Sequence, residues 1–334
     1  MNTSREIHLK SRPVGMPIAD NFELVTVPRP EAGEGEILIR NHYMSVDPYM
    51  RGRMVDRKSY TPPFQLGAVM DGGCVGEVVE SNNPAFAVGS FVLGQTGWRE
   101  HFVSNGKGLM PIDPNVAPIQ SYLGAMGMPG WTAYFGLLDI GNPQAGETVF
   151  VSAAAGAVGS VVCQIAKIKG CRVVGSVGSQ TKADWLVNEL GIDAAFNYKE
   201  ADNLTAVLRQ HCPDGIDVYF ENVGGAHLEA ALNVMNVNGR MPVCGMISQY
   251  NNTRMEPGPG NLTNIIGKRL LLKGFIVTDY MRQLPQFFAD MGPWAASGQM
   301  KWRETIVEGL ENAPEAFIGL FTGENLGKML VKLV

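Results

Sequence analysis

Hydrophobic and polar positions along this chain change rhythm about a third of the way in. Before that point, strand-patterned runs at Phe22–Val27, Glu36–Val46, Gly73–Glu80 and Ser90–Gly94 are separated by Pro and Gly, and no helical pattern falls between them. They predict a β-rich first domain. From about Met126 the pattern alternates. A helix is predicted at Thr132–Leu138 and a turn at Asn142–Glu147. Strands follow at Thr148–Ser152, Arg172–Val177, Ala194–Asn197, Asp217–Glu221, Gly239–Cys244 and Leu270–Phe275. Helices are predicted at Gly156–Lys169, Thr181–Leu190, Leu204–His211, Leu228–Val234, Leu262–Lys268 and Leu284–Ala296. Six strands with crossover helices make an α/β fold with a doubly wound parallel sheet. A last apolar strand, Lys328–Val334, is expected to return to the first domain. The expected division is residues 1–125 with 300–334, and residues 126–299.

Within the second domain the segment from Thr148 to Gly159 is the most informative. A short apolar strand meets a loop of very small residues, Ala153-Ala154-Ala155-Gly156-Ala157-Val158-Gly159, and a helix follows. This is the opening of a dinucleotide-binding βαβ unit. Gly156 lets the backbone approach a pyrophosphate, and Gly159 lets the helix pack close to the strand. The helix end presents N–H groups and positive dipole to phosphates. Ala154 occupies the first position, where the usual fingerprint has glycine. The alternative is a tight strand-to-helix turn without a ligand. After the second strand, an NAD-binding protein places Asp or Glu near the ribose 2′-hydroxyl. Here the run is Gly175-Ser176-Val177-Gly178-Ser179-Gln180-Thr181-Lys182, with no acid. A cation at Lys182 and no opposing carboxylate suit a 2′-phosphate, so NADPH is expected over NADH. Otherwise Lys182 is a solvated residue of a first helical turn.

Composition narrows the classes further. The 334 residues suit two domains, and the 40 glycines exceed the average rate. A net charge of −5 with no Lys/Arg cluster speaks against nucleic acid and anionic membranes as partners. No long uncharged apolar stretch suits a membrane span, and Met1–Lys10 is polar, unlike a signal sequence. Five scattered cysteines, an odd number, read as reduced thiols of a cytoplasmic protein.

Several strings carry a resemblance. They are Asp47-Pro48-Tyr49-Met50-Arg51-Gly52-Arg53-Met54, Gly127-Met128-Pro129-Gly130 with Thr132-Ala133-Tyr134, and Glu221-Asn222-Val223-Gly224-Gly225. Cys244-Gly245-Met246-Ile247-Ser248-Gln249-Tyr250-Asn251 and Asn325-Leu326-Gly327-Lys328 complete them. In this order and over nearly the whole chain, they are similar to the zinc-independent branch of the medium-chain dehydrogenase/reductases. That branch reduces alkenals, prostaglandins and curcumin, and the chain resembles its bacterial curcumin reductases most. The resemblance implies a GroES-like first domain, a Rossmann domain that binds NADPH, and a homodimer. It also implies the cofactor contacts. Gly156, Ala157, Val158 and Gly159 form the phosphate loop. Lys182 meets the 2′-phosphate and Tyr198 the adenosine side. Asn222 stands at the sheet edge. Cys244, Met246, Ser248 and Tyr250 line the path from adenine to nicotinamide. Backbone groups of Phe275, Ile276 and Val277 bond the carboxamide, and Asn325 contacts the cofactor near the active site.

Zinc-dependent relatives need Cys, His and carboxylate ligands with one open position. The loop His42-Tyr43-Met44-Ser45-Val46-Asp47 has no Cys, no Gly-His-Glu string follows, and His42 and His101 lie in no ligand-spaced cluster. No metal is therefore expected. The reading is reduction of the carbon–carbon double bond of an α,β-unsaturated ketone or aldehyde, with hydride delivered to the β-carbon. The protein must orient the enone and stabilise charge on its carbonyl oxygen. Tyr250, beyond the fifth strand, is the donor candidate, with packing on the cofactor as its alternative. Tyr49 is a pocket residue or a turn residue beside Pro48. Arg51 and Arg53 meet an anionic substrate tail or form structural ion pairs. Met16, Tyr60, Phe64 and Met128 are candidates for an apolar wall. The competing functions are an NADPH quinone oxidoreductase and a non-catalytic NADPH-binding structural or sensor protein.

Overall fold

In the computed structural model, which describes residues 2–334, the Pro- and Gly-punctuated first third forms β1 (Thr3–Leu9), β2 (Phe22–Pro28), β3 (Ile37–Ser45), β4 (Cys74–Ser81), β5 (Phe91–Gly94), β6 (His101–Ser104) and β7 (Met110–Ile112). One helical turn, α1 (Met50–Arg53), lies between β3 and β4. The chain divides into two compact units. One holds everything up to Gly124 together with Asn251–Thr253 and Glu304–Val334; the other holds Ala125–Tyr250 and Arg254–Arg303.

The second unit begins with α2 (Met128–Phe135) and then alternates: β8 (Thr148–Val151), α3 (Gly159–Ile168), β9 (Arg172–Val177), α4 (Gln180–Asn188), β10 (Ala194–Asn197), α5 (Leu204–His211), β11 (Ile216–Phe220), α6 (Gly225–Val234), β12 (Met235–Val243), α7 (Thr263–Lys268), β13 (Leu271–Gly274) and α8 (Leu284–Ala296). Its sheet has the order β10-β9-β8-β11-β12-β13, every pair parallel. This is the doubly wound Rossmann order, three strands to each side of the β8–β11 junction. All four residues of β8 are buried, as a central parallel strand covered on both faces requires.

The first unit is completed late in the chain by β14 (Glu304–Glu308), α9 (Ala313–Thr322) and β15 (Lys328–Lys332). β15 pairs antiparallel with β3 and parallel with β14, giving a sheet of order β14-β15-β3-β4-β5-β7, with β6 also on β3. β1 and β2 form a separate antiparallel pair. Between these layers Phe22 stacks on Trp98, with ring centres 6.0 Å apart, and Phe317 meets both rings edge-on.

Where the elements differ from the sequence pattern, packing explains the difference. α3 starts at Gly159, not Gly156, because residues 152–155 and 157–158 are turns. β12 starts at Met235, not Gly239. Met235 pairs with Ile216 before an irregularity at Asn238, whose φ is +64°, and the ladder resumes at Arg240. β13 ends at Gly274, so Phe275 lies beyond it. The return to the first unit falls at Glu304. Lys301 stays with the second unit through its backbone, whose N–H donates to the Gln164 side-chain oxygen at 2.7 Å and whose carbonyl accepts from the Gln164 side-chain nitrogen at 2.8 Å.

Candidate active site

Because the second sheet is wholly parallel, the residues that follow each strand lie along one edge. Open α/β sheets bind ligands there, at the point where the strand order reverses. The turn after β8 shows why its residues are small. Ala153 has a left-handed φ of +48°, and its carbonyl accepts from Gly156 N at 2.9 Å. A Cβ on Gly159 would stand 2.4 Å from that carbonyl oxygen and 2.8 Å from Ala154 Cα, whereas one on Gly156 would stand 3.2 Å from it. Only glycine lets α3 begin at 159. Gly156, Ala157 and Val158 are half-exposed, beside the first turn of the helix. Ala154 is accommodated by the facing strand. A Cβ on Gly175 of β9 would lie 2.7 Å from Ala154 Cβ, so the space that the usual fingerprint makes in the turn is made here on β9.

At the ends of β9 and β10 two cations approach one another. Ser179 caps α4, and Lys182 lies in its first turn. Burial, and then the charge of Lys199, lower the Lys182 amine below the ordinary lysine value. The Lys199 side chain lies over Gly178, where a Cβ would meet its Cε at 3.3 Å and its Nζ at 3.7 Å. Lys199 was not among the candidates legible in the sequence. Its signal was a second lysine directly after Tyr198 at a strand end. The Tyr198 ring stands edge-on to His227 at 4.9 Å. Burial pushes His227 down to about 4, so its ring is neutral at pH 7. The missing Cβ atoms at 156 and 159, the end of α3 and the two lysines fit a phosphorylated dinucleotide.

Beyond β11 and β12 two loops are tied together around Glu221. This carboxyl is fully buried, and burial raises its pKa. Its Oε1 accepts from Val223 N at 2.6 Å, Gly224 N at 2.9 Å and Ser152 Oγ at 3.1 Å. Its backbone carbonyl accepts from Cys244 N and Gly245 N. Asn222 donates from Nδ2 to Ser152 O at 2.8 Å, fixing it between β8 and β11. Ser248 Oγ donates to Val223 O at 2.5 Å. Burial and the nearby Glu221 push the Cys244 thiol up to about 12. The Tyr250 hydroxyl oxygen accepts from Met246 N at 3.3 Å and rests over Gly245, where a Cβ would come within 2.9 Å of it. That bond orients the oxygen and uses no phenol proton. Phe275 faces Phe220 edge-on at 6.4 Å; Ile276 and Val277 follow it into a 3₁₀ turn.

In the first unit the signature around Tyr49 alternates core and polar positions. Met50 and Met54 are fully buried. Tyr49 is half-buried, and burial, then the charge of Asp47, raise its phenol pKa well above the usual value, so it stays protonated. Arg53 chelates Asp71 and lies 4.0 Å above the Phe64 ring. Buried Arg51 donates to Asn251 Oδ1 and Gly15 O, both at 2.9 Å, and among the described residues it has no ion pair to a carboxylate. Asn325 donates from Nδ2 to Gly327 O at 2.7 Å. His42 bonds Glu77 at 3.0 Å, and His101 lies 3.2 Å from Ser4 Oγ. Among the described residues no three His, Cys, Asp or Glu side chains gather as a metal site, and no helix is long and apolar enough to cross a membrane.

Comparison with known proteins adds three findings. Residues 5–112 match the family model described as the N-terminal domain of oxidoreductase, and residues 157–293 match one described as zinc-binding dehydrogenase. The NADPH-dependent curcumin reductase of Escherichia coli is 46% identical over 330 residues, 97% of this chain and 95% of that one. Prostaglandin reductase 1 of Bos taurus is 46% identical over 329 residues, 97% of each chain. The crystal structure of CurA from Vibrio vulnificus in complex with NADPH superposes with a TM-score of 0.94 at 46% identity, covering 99% of both chains.

Proposed function

From the premise that this chain belongs to the alkenal and prostaglandin reductase branch of the medium-chain dehydrogenase/reductases, we propose that it reduces the carbon–carbon double bond of α,β-unsaturated ketones and aldehydes with NADPH. The observation that carries the reading is the Tyr250 phenol, held over Gly245 by the Met246 N–H at the carboxyl edge of the sheet. In this reading residues 156–159 hold the pyrophosphate, and Lys182 with Lys199 holds the 2′-phosphate. Tyr198, Asn222, Cys244, Met246, Ser248, Phe275, Ile276, Val277 and Asn325 complete the cofactor contacts. NADPH, when bound, supplies the hydride. Tyr250 donates a hydrogen bond to the carbonyl oxygen as negative charge builds there. Tyr49, protonated at all physiological pH values, is a second donor on the substrate side.

The experiment is NADPH oxidation followed by absorbance with a panel of enones, alkenals and one quinone. Turnover with enones and alkenals supports the reading. Turnover with the quinone alone supports a quinone reductase, and NADPH binding without turnover a non-catalytic protein. The reading is also metal-free, from the missing Cys and Gly-His-Glu string in the first domain. Activity is expected to survive exhaustive EDTA and phenanthroline treatment, and loss restored by zinc would overturn this. A cytoplasmic homodimer belongs to the same reading by family likeness, and light scattering showing a monomer would remove that part.

A further inference from the structure

We propose that Asp47 and Lys328 are positioning residues, a buried ion pair that sets the loop carrying Tyr49 against the turn carrying Asn325. The proposal rests on the roles just given to those two residues. Lys328 is 4% exposed and Asp47 6%. Lys328 Nζ lies 3.2 Å from Asp47 Oδ1 and donates to Val46 O and Met329 O, both at 2.8 Å. Its three hydrogens are thereby assigned. Asp47 also accepts from Ser45 Oγ.

The position of the pair in the ladder gives it its task. The last registered pair between β15 and β3 is Leu330↔Ser45. Past that point one backbone runs into Val46, Asp47 and Pro48, and the other has come from Asn325, Leu326 and Gly327. The Lys328 side chain spans the place where the ladder stops. On one side Asp47 O accepts from Met50 N at 3.1 Å, opening the turn that presents Tyr49. On the other, Asn325 is tied to Gly327 O, one residue before Lys328. Glu304, opposite Lys328 in the β14–β15 ladder, is a further acid in the field of the amine.

Stability alone does not explain such a pair. Two buried charges lose hydration, and neutral side chains of similar size in their place are often as stable or more so, whereas removing one partner is strongly destabilising. The two roles therefore separate in a double variant. Lys328→Met alone should lower the thermal midpoint. Asp47→Asn/Lys328→Met should return the midpoint toward wild type. The single-turnover rate of hydride transfer should remain roughly ten- to a hundredfold down, as small displacements of reacting groups cost. NADPH affinity should fall less than the rate, because Asn325 is one cofactor contact among many. Amide hydrogen exchange over 46–51 and 325–329 should be faster in the double variant, and Lys328→Arg should recover part of the rate. A double variant with wild-type rate and wild-type exchange would overturn the proposal and leave the pair a fold element. If the wild-type protein reduces no enone, the functional reading fails, while the exchange measurement still decides whether the pair orders the two segments.

Discussion

An amine held below its ordinary pKa by burial and by a neighbouring lysine, as Lys182 is by Lys199, carries a repulsion that a dianion relieves. A charge-assisted contact of this kind contributes about 1.5–3 kcal/mol. Lys182→Ala is therefore expected to weaken NADPH by roughly ten- to a hundredfold and NADH hardly at all. Lys199→Ala should act in the same direction but less, since that amine is exposed and screened. Fluorescence titration with both cofactors measures this, and equal losses for the two would refute it. The charge also sets a pH dependence. The proposed 2′-phosphate contact needs protonated Lys182, so NADPH affinity should fall as pH rises through the lowered lysine value, earlier than for a free lysine, while NADH affinity stays flat. Tyr250 is tested by removing one oxygen. Tyr250→Phe keeps the ring and loses the donor together with the acceptor for Met246 N, which should slow hydride transfer by roughly ten- to a hundredfold, at or below the low end for an oxyanion donor, with NADPH affinity nearly unchanged. A wild-type single-turnover rate in the Phe variant would move the donor role elsewhere.

At the scale of elements, the strand-loop-helix after β8 shows how a departure from a known pattern is balanced by a neighbour. Ala154 in the turn and Gly175 on β9 together supply the space of one methyl group. Gly175→Ala should overfill the site, against Ala154, Ile192 and Leu186, and cost about 1–3 kcal/mol. Adding Ala154→Gly should recover most of that loss in urea unfolding, and a double variant no more stable than the single would show the two sites to be independent. The sequence carried the alternating elements of this unit clearly. β9, β10, α5 and α8 fall where hydrophobic runs and helical spacing put them. Edges were harder to read. α3 begins three residues late because its first turn is closed by a left-handed alanine, and β12 begins early through pairing that crosses an irregularity at Asn238. β6, β7 and β14, three to five residues long, went unread because short strands owe their form to distant partners more than to their own residues; the seven-residue β1 went unread too.

For the molecule as a whole, the residues legible in advance were those whose role follows from a local string, such as the glycines of the turn and the missing acid after β9. Lys199, Glu221, Asp47 and Lys328 were present in quoted strings or beside them, yet their roles depend on residues far away in sequence. Glu221 ties Ser152 to the loops after β11 and β12, and no spacing rule reveals a partner 69 positions off. Val46 and Lys328 are farther apart still, by 282 residues. The consequence lies in how the protein is made. β15 is interior to its sheet, flanked by β3 and β14, and Met329, Leu330 and Val331 are almost wholly buried there. A ribosome delivers β3 early and must translate the entire nucleotide-binding unit before the strand that covers its open side emerges. During that interval Tyr43–Ser45 of β3, beyond the stretch Ile37–Arg40 that β6 pairs, expose backbone donors and acceptors, the kind of unpaired edge that invites other chains to pair with it. Synthesis thus leaves the first strands waiting for the last.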